Sequence, residues 1–216
     1  SRVMKQCGLL SILIFSFAFL TTSAAAQTAK ALSEAERYKL GAAYSAENKG
    51  AAVLVMKGDK IVFEDYQNGF TSDRSHFLAS GTKSFSGVVL AAAIEDGLVS
   101  GFDEKVSETI TEWRSDARKS KITLRQLLTL TSGLDAGQLG SVPEYREAIK
   151  ASVSFDAGSR FAYGPVPFQI FGEVMTRKLA PKKETLQSYL QRRVLAPIGL
   201  KTAFWRQSNG QPLLPQ

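Results

Sequence analysis

The sequence predicts an α/β protein of the α+β kind: one antiparallel hairpin followed by a helix-rich remainder. Three observations carry this. Residues 51–57 and 60–66 are strand-like runs rich in Val, Ile, Phe and Tyr, and Gly58-Asp59 between them is a tight-turn pair. Residues 85–94 are apolar or small almost all round, which predicts a helix buried on every side. After that helix the apolar spacing becomes helical rather than alternating. With 216 residues, 44% hydrophobic and 22% charged, the chain has enough apolar surface to bury a core and is not of disordered composition.

Charge and cysteine usage narrow the function classes. The formal net charge is +7, and setting aside Arg2 and Lys5 leaves 25 basic against 20 acidic residues. The excess is spread out, with small clusters at Arg118-Lys119-Ser120-Lys121 and Lys182-Lys183 that read as solvated faces. No basic motif is interleaved with aromatics, so no nucleic-acid partner is expected. Residues 1–26 read as a signal peptide with extra leading residues. Ser1 to Val3 precede Met4-Lys5-Gln6, an apolar run occupies residues 8–20, and Ala24-Ala25-Ala26 offers small residues before Gln27. That run is short for a membrane span, so no stable span is expected after cleavage. Cys7, the only cysteine, lies inside this leader and lacks the neighbours of a lipid-modified cysteine. A mature chain without thiols has no disulfide, cysteine nucleophile or thiolate metal site, and is compatible with a periplasmic or secreted location.

The elements follow in order. Ser33 with Glu36 three residues on is a capping box opening an amphipathic helix over residues 32–46. The hairpin comes next, and Asn68-Gly69 gives a further turn. The apolar helix of residues 85–94 is closed by Gly97. Thr123-Leu124-Arg125-Gln126 is a second capping box, and its helix stops at Ser132-Gly133. A further helix is expected over residues 143–151. Pro167 suits the first turn of another, with Phe168, Ile170, Phe171, Val174 and Met175 at helical spacing. A last amphipathic helix covers 186–195, and residues 202–205 are expected to start a strand. Two strands do not make an independent sheet, so further strands are expected beyond Gln216.

Chemistry concentrates in Ser80-Gly81-Thr82-Lys83, the only Ser-x-x-Lys in the chain. Lys83 is the only charged residue between Arg74 and Glu95, and an isolated ammonium at the head of an apolar helix is costly unless something uses it. One helical turn brings a hydroxyl and an amine together. A serine hydroxyl needs a neighbouring base to become a nucleophile. A lysine, normally titrating near ~10.4, serves at neutral pH only if desolvation or another cation lowers its pKa. These residues alone leave two readings open: a catalytic pair, or a helix-capping serine with a snorkelling lysine. The lone His76 does not build a Ser-His-Asp triad, because no Gly-x-Ser-x-Gly elbow exists. No His-Glu-x-x-His or comparable metal-ligand cluster appears either.

The pair does not stand alone. Ser80-Gly81-Thr82-Lys83 with Asp96-Gly97-Leu98 resembles the penicillin-recognising serine hydrolases, in the branch of class C β-lactamases, family VIII-type esterases and D-amino peptidases. Residues 122–134, ending in Thr129-Leu130-Thr131-Ser132-Gly133-Leu134, resemble that branch's second landmark. Gly158-Ser159-Arg160-Phe161-Ala162-Tyr163-Gly164 is similar to its Gly-x-x-Phe-x-Tyr segment, and Pro197-Ile198-Gly199-Leu200 to its Pro-Leu-Gly-Met turn.

The resemblance implies a serine β-lactamase/DD-peptidase-like fold: an antiparallel sheet flanked by helices, beside a helical lobe. Residues 27–216 would be its N-terminal part, with the C-terminal strands missing. It implies Ser80 as acylated nucleophile, Lys83 as proton acceptor and Tyr163 as second general acid/base. The Ser80 N–H would form half of an oxyanion hole whose other half comes from a strand near the family's C-terminus. No cofactor or metal is implied, and the partner is a small-molecule ester or amide. Two departures shape the expectation. The family's Tyr-x-Asn is here Tyr163-Gly164-Pro165, so the amide that binds a β-lactam side chain is replaced. The Lys-Thr-Gly or His-x-Gly motif is also absent: Lys201-Thr202-Ala203 follows the Pro-Ile-Gly-Leu turn too early and lacks the glycine. An esterase-like hydrolase is therefore expected. The alternatives are a β-lactamase or D-amino peptidase, and an inactive fragment or penicillin-binding-like sensory protein.

Overall fold

The computed structural model describes residues 31–215, in two compact units, residues 31–72 and 73–215. The leader expected over residues 1–26 lies outside the described residues. In the first unit, Ser33 caps helix α1 (Glu34–Glu47): its hydroxyl accepts from the Glu36 N–H, and the Glu36 carboxylate accepts from the Ser33 N–H at 2.7 Å. Strands β1 (Ala52–Lys57) and β2 (Lys60–Tyr66) pair antiparallel through the Gly58-Asp59 turn, with a bulge between Val55 and Met56. Gly58 and Asn68 both hold the left-handed conformation their turns need. The Gln67 side-chain amide donates to the Ala42 carbonyl at 2.7 Å, and Tyr38 meets the Phe63 ring, so α1 packs on the hairpin.

The second unit is built around helix α5 (Val166–Leu179), in which every residue from Val166 to Met175 is buried. Helices α2 (Lys83–Glu95), α3 (Leu124–Leu128), α4 (Tyr145–Ala148) and α6 (Leu186–Leu190) pack against it. Their inward residues, among them Leu90, Leu127, Tyr145, Ile170, Phe171 and Leu190, form one core. The helix buried on every side is therefore α5. The expectation placed that property on α2, which instead exposes Ser84, Gly87, Val88 and Ala91 along one stripe. Small residues make that stripe read as apolar, whereas α5 carries its polar Gln169 and Glu173 inward with partners.

Other expectations are met or corrected locally. The capping box at Thr123 is present, with the Gln126 side-chain oxygen accepting from the Thr123 N–H at 3.0 Å. The helix expected over residues 143–151 is the single turn of α4. The helix expected over 186–195 is α6 followed by a π-helical turn, Gln191–Leu195. Residues 202–205 are irregular rather than a strand. Adjacent strand residues point to opposite faces. Here Phe204 stacks on Phe77, while Trp205 packs edge-on against Phe85 and donates to the Leu213 carbonyl. The strands that form after α6 are two-residue pieces, β3 (Gln207–Ser208) with β4 (Gln211–Pro212). Among the described residues no helix is long and apolar enough to cross a membrane.

Candidate active site

Ser80 is exposed in a 3₁₀ turn, Ala79–Thr82, that runs directly into α2. Tighter winding does not separate the pair: the Lys83 ammonium donates to the Ser80 hydroxyl oxygen at 2.8 Å. The turn begins under strain. Ala79 has φ +46, a left-handed conformation that a residue with a Cβ seldom adopts outside sites where the surroundings impose it. The Gly81 N–H closes the turn on the Leu78 carbonyl at 2.8 Å, and the Thr82 hydroxyl donates to the Ala79 carbonyl at 2.8 Å.

The far end of α2 is anchored as well. Asp96 accepts from the Tyr189 hydroxyl at 2.8 Å and from Arg193 at 2.9 Å, and Arg193 also reaches Glu95 at 2.6 Å. Hydrogen bonding by Arg193, then by Tyr189, holds the Asp96 carboxyl below its ordinary value. Asp96 of the sequence landmark is thus a brace that fixes the helix carrying Lys83.

Tyr163 reaches the pair from a loop gripped on both sides. The Ala162 N–H donates to the Leu130 carbonyl at 2.9 Å, and the Val166 N–H to the Ala136 carbonyl at 3.1 Å. Between them Gly164 lies against the Ala136 backbone so closely that a Cβ would stand 2.1 Å from its carbonyl oxygen. Gly133 permits a similar close approach: a Cβ there would stand 2.3 Å from the Phe155 carbonyl oxygen, and its own carbonyl accepts from Ser154 and Phe155. The Leu130-Thr131-Ser132-Gly133 landmark therefore serves as the seat of the Tyr163 loop. The Lys83 nitrogen stands 4.9 Å from the Tyr163 ring centre and 5.8 Å from that of Phe168. Hydrogen bonding with Ser80, then with Lys83, lowers the Tyr163 hydroxyl from its usual value.

The structure thus brings together all three residues singled out in the sequence. The enclosure differs from expectation: Ser80 is exposed and Lys83 only half-buried. His76 is an exposed loop residue. Pro165, at the position of the missing asparagine, caps the start of α5 and is buried, and as a proline it has no N–H to offer. One partner of the site was invisible in the sequence: the Pro215 carbonyl, 132 residues away, accepts from Lys83 at 3.0 Å. No local pattern signals a contact made by a main-chain oxygen at that separation.

The family described as Beta-lactamase matches residues 27–213. No curated protein matches the chain in sequence. Among solved structures, a Bacteroides dorei DSM 17855 protein described as a candidate beta-lactamase superposes with a TM-score of 0.64 at 25% identity, over 82% of this chain and 56% of that one. An octameric penicillin-binding protein homologue from Pyrococcus abyssi gives a TM-score of 0.60 at 17% identity, over 81% and 45%. EstCE1, a hydrolase with promiscuous acyltransferase activity, gives 0.58 at 18% identity, over 80% and 54%. The chain spans about half the length of these proteins. Their shared fold is the β-lactamase/transpeptidase-like one, here as helices with small sheets.

Proposed function

The chain belongs to the beta-lactamase family, and from that premise we propose that it is a serine hydrolase acting on a small ester or amide, with esterase-like preference. The observation that carries the reading is the 2.8 Å contact between the Lys83 amine and the Ser80 hydroxyl, beside a tyrosine whose hydroxyl is shifted downward. In its neutral form the amine takes the Ser80 proton as the oxygen attacks the substrate carbonyl. The tetrahedral oxyanion is met by the Ser80 main-chain N–H. Tyr163 passes a proton to the leaving group, whose departure leaves an acyl group on Ser80. Water, deprotonated by the same pair, then releases the acid and restores the serine.

Pro165 favours an ester over a β-lactam, because no side-chain amide projects from that position to bind an acylamino group. The basic, apolar and small-residue succession over residues 4–26 supports an exported, periplasmic or secreted protein that matures near Gln27.

The test is turnover of p-nitrophenyl butyrate and of a chromogenic cephalosporin across pH. The parent hydrolyses the ester, Ser80→Ala does not, and Tyr163→Phe loses about 10²-fold or more. Because the Tyr163 hydroxyl is lowered, its phenolate forms below the usual ~10, and acylation, which needs the phenol as proton donor, slows as pH rises through that lowered value. The Tyr163→Phe variant loses this limb. Faster turnover of the cephalosporin than of the ester would reverse the assignment of substrate class.

A further inference from the structure

We propose that residues 212–215 form a strap that positions Lys83 against Ser80, and that Gln169 is the positioning residue that holds the strap. The proposal rests on the catalytic reading of Ser80 and Lys83 given above. This short segment is bound along its whole length. The Pro212 carbonyl accepts from the Tyr145 hydroxyl. The Leu213 N–H donates to the Arg206 carbonyl at 2.8 Å, and the Leu213 carbonyl accepts from the Trp205 indole at 2.9 Å. The Leu214 N–H donates to the Gln169 side-chain oxygen at 3.2 Å, and the Leu214 carbonyl lies 3.3 Å from the Thr82 hydroxyl, sharing its one proton with the nearer Ala79 carbonyl. The Pro215 carbonyl accepts from Lys83 at 3.0 Å. Pro212 and Pro215 have no N–H to satisfy. From the Pro212 carbonyl to the Pro215 carbonyl every main-chain polar group has a partner, and five of the six partners are side chains.

Such gripping specifies one position for the segment, because each group left unpaired in a buried place is penalised. Leu214 is buried, and its two main-chain groups run from Gln169 at one end to the residue beside Lys83 at the other. Gln169 is 0% exposed in the middle of α5, where an amide is tolerated only with partners. Both halves are used: the nitrogen donates to the Pro143 carbonyl at 2.6 Å and the oxygen takes Leu214. It ties the loop before α4 to the strap, and the strap supplies the second acceptor that aims the Lys83 amine. A lysine with four rotatable bonds and one acceptor would wander; two acceptors, on Ser80 and Pro215, fix its direction.

The test is the saturable labelling of the chain with a fluorophosphonate, which reports a limiting rate and a half-saturating concentration separately. Gln169→Leu lowers the limiting rate about tenfold and leaves half-saturation within twofold. A loss of folded protein alone would change the labelled amount and not the rate. Gln169→Glu, which keeps an oxygen facing the Leu214 N–H, recovers part of that rate. Should Gln169→Leu not fold, Tyr145→Phe decides, since it keeps the ring and frees the Pro212 carbonyl. It then slows labelling severalfold with half-saturation unchanged. Labelling that persists in Ser80→Ala overturns the catalytic reading on which the strap rests. Labelling confined to Ser80, with every folded strap variant within twofold of the parent rate, overturns the strap alone.

Discussion

The two units use the same kinds of residue to different ends. Residues 73–215 gather one core in which Leu127, Ile170 and Phe171 are 0% exposed, although Phe77, Leu139, Ile198 and Phe204 stay on the surface. In residues 31–72 the hairpin leaves Leu54, Met56, Ile61 and Val62 all more than 40% exposed. Alternation and turn chemistry suffice to set the β1–β2 register, but they bury little. The stability of the chain therefore resides around α5, and the hairpin is held by its ladder and the α1 contacts.

The largest effect that sharpens this contrast is a pair of truncations. Phe171→Ala at the centre of α5 lowers unfolding free energy by about 3–5 kcal/mol. Leu54→Thr in β1 stays within about 0.5 kcal/mol, as for a surface position. Urea denaturation of the two variants measures both. Equal losses would mean that the hairpin is as deeply integrated as the core.

A smaller effect belongs to the second unit alone. Glu112 receives two bonds at 2.8 Å from Arg177, which also binds Glu173. Hydrogen bonding by Arg177 pulls the Glu112 carboxyl down to about 2. A depressed carboxylate stabilises the fold above its unfolded value, near ~4.3, and that contribution disappears as pH falls through the folded value. The contribution is modest, because Glu112 is half-exposed and screened. Glu112→Gln should flatten the fall in urea midpoint between about pH 4 and pH 2. An unchanged acid limb would show that the pair contributes nothing there.

These contrasts also mark what the sequence could convey. The Ser33 and Thr123 capping boxes, the Gly58-Asp59 turn and the α5 spacing are local, and local rules found them. Ser80, Lys83 and Tyr163 were legible as well, because one helical turn and two recognisable landmarks bring them together. Burial was less legible. The small-residue face of α2 reads as core and is exposed, while α5 hides Gln169 and Glu173, which a polarity pattern assigns to the surface. The Phe204-Trp205 pair looked like a strand because its packing partners, Phe77 and Phe85, are more than a hundred positions away. The strap failed for the same reason: Thr82 and Lys83 meet Leu214 and Pro215 through main-chain oxygens, which carry no sequence signature.

The most direct test of the central claim is the mass of the Ser80 peptide after incubation with an activated acyl ester and rapid acid quenching. One acyl adduct is expected, located on Ser80, absent in Ser80→Ala and formed at least ~10²-fold more slowly in Lys83→Met. An unmodified Ser80 peptide, or an adduct that forms equally fast without the Lys83 amine, would contradict it.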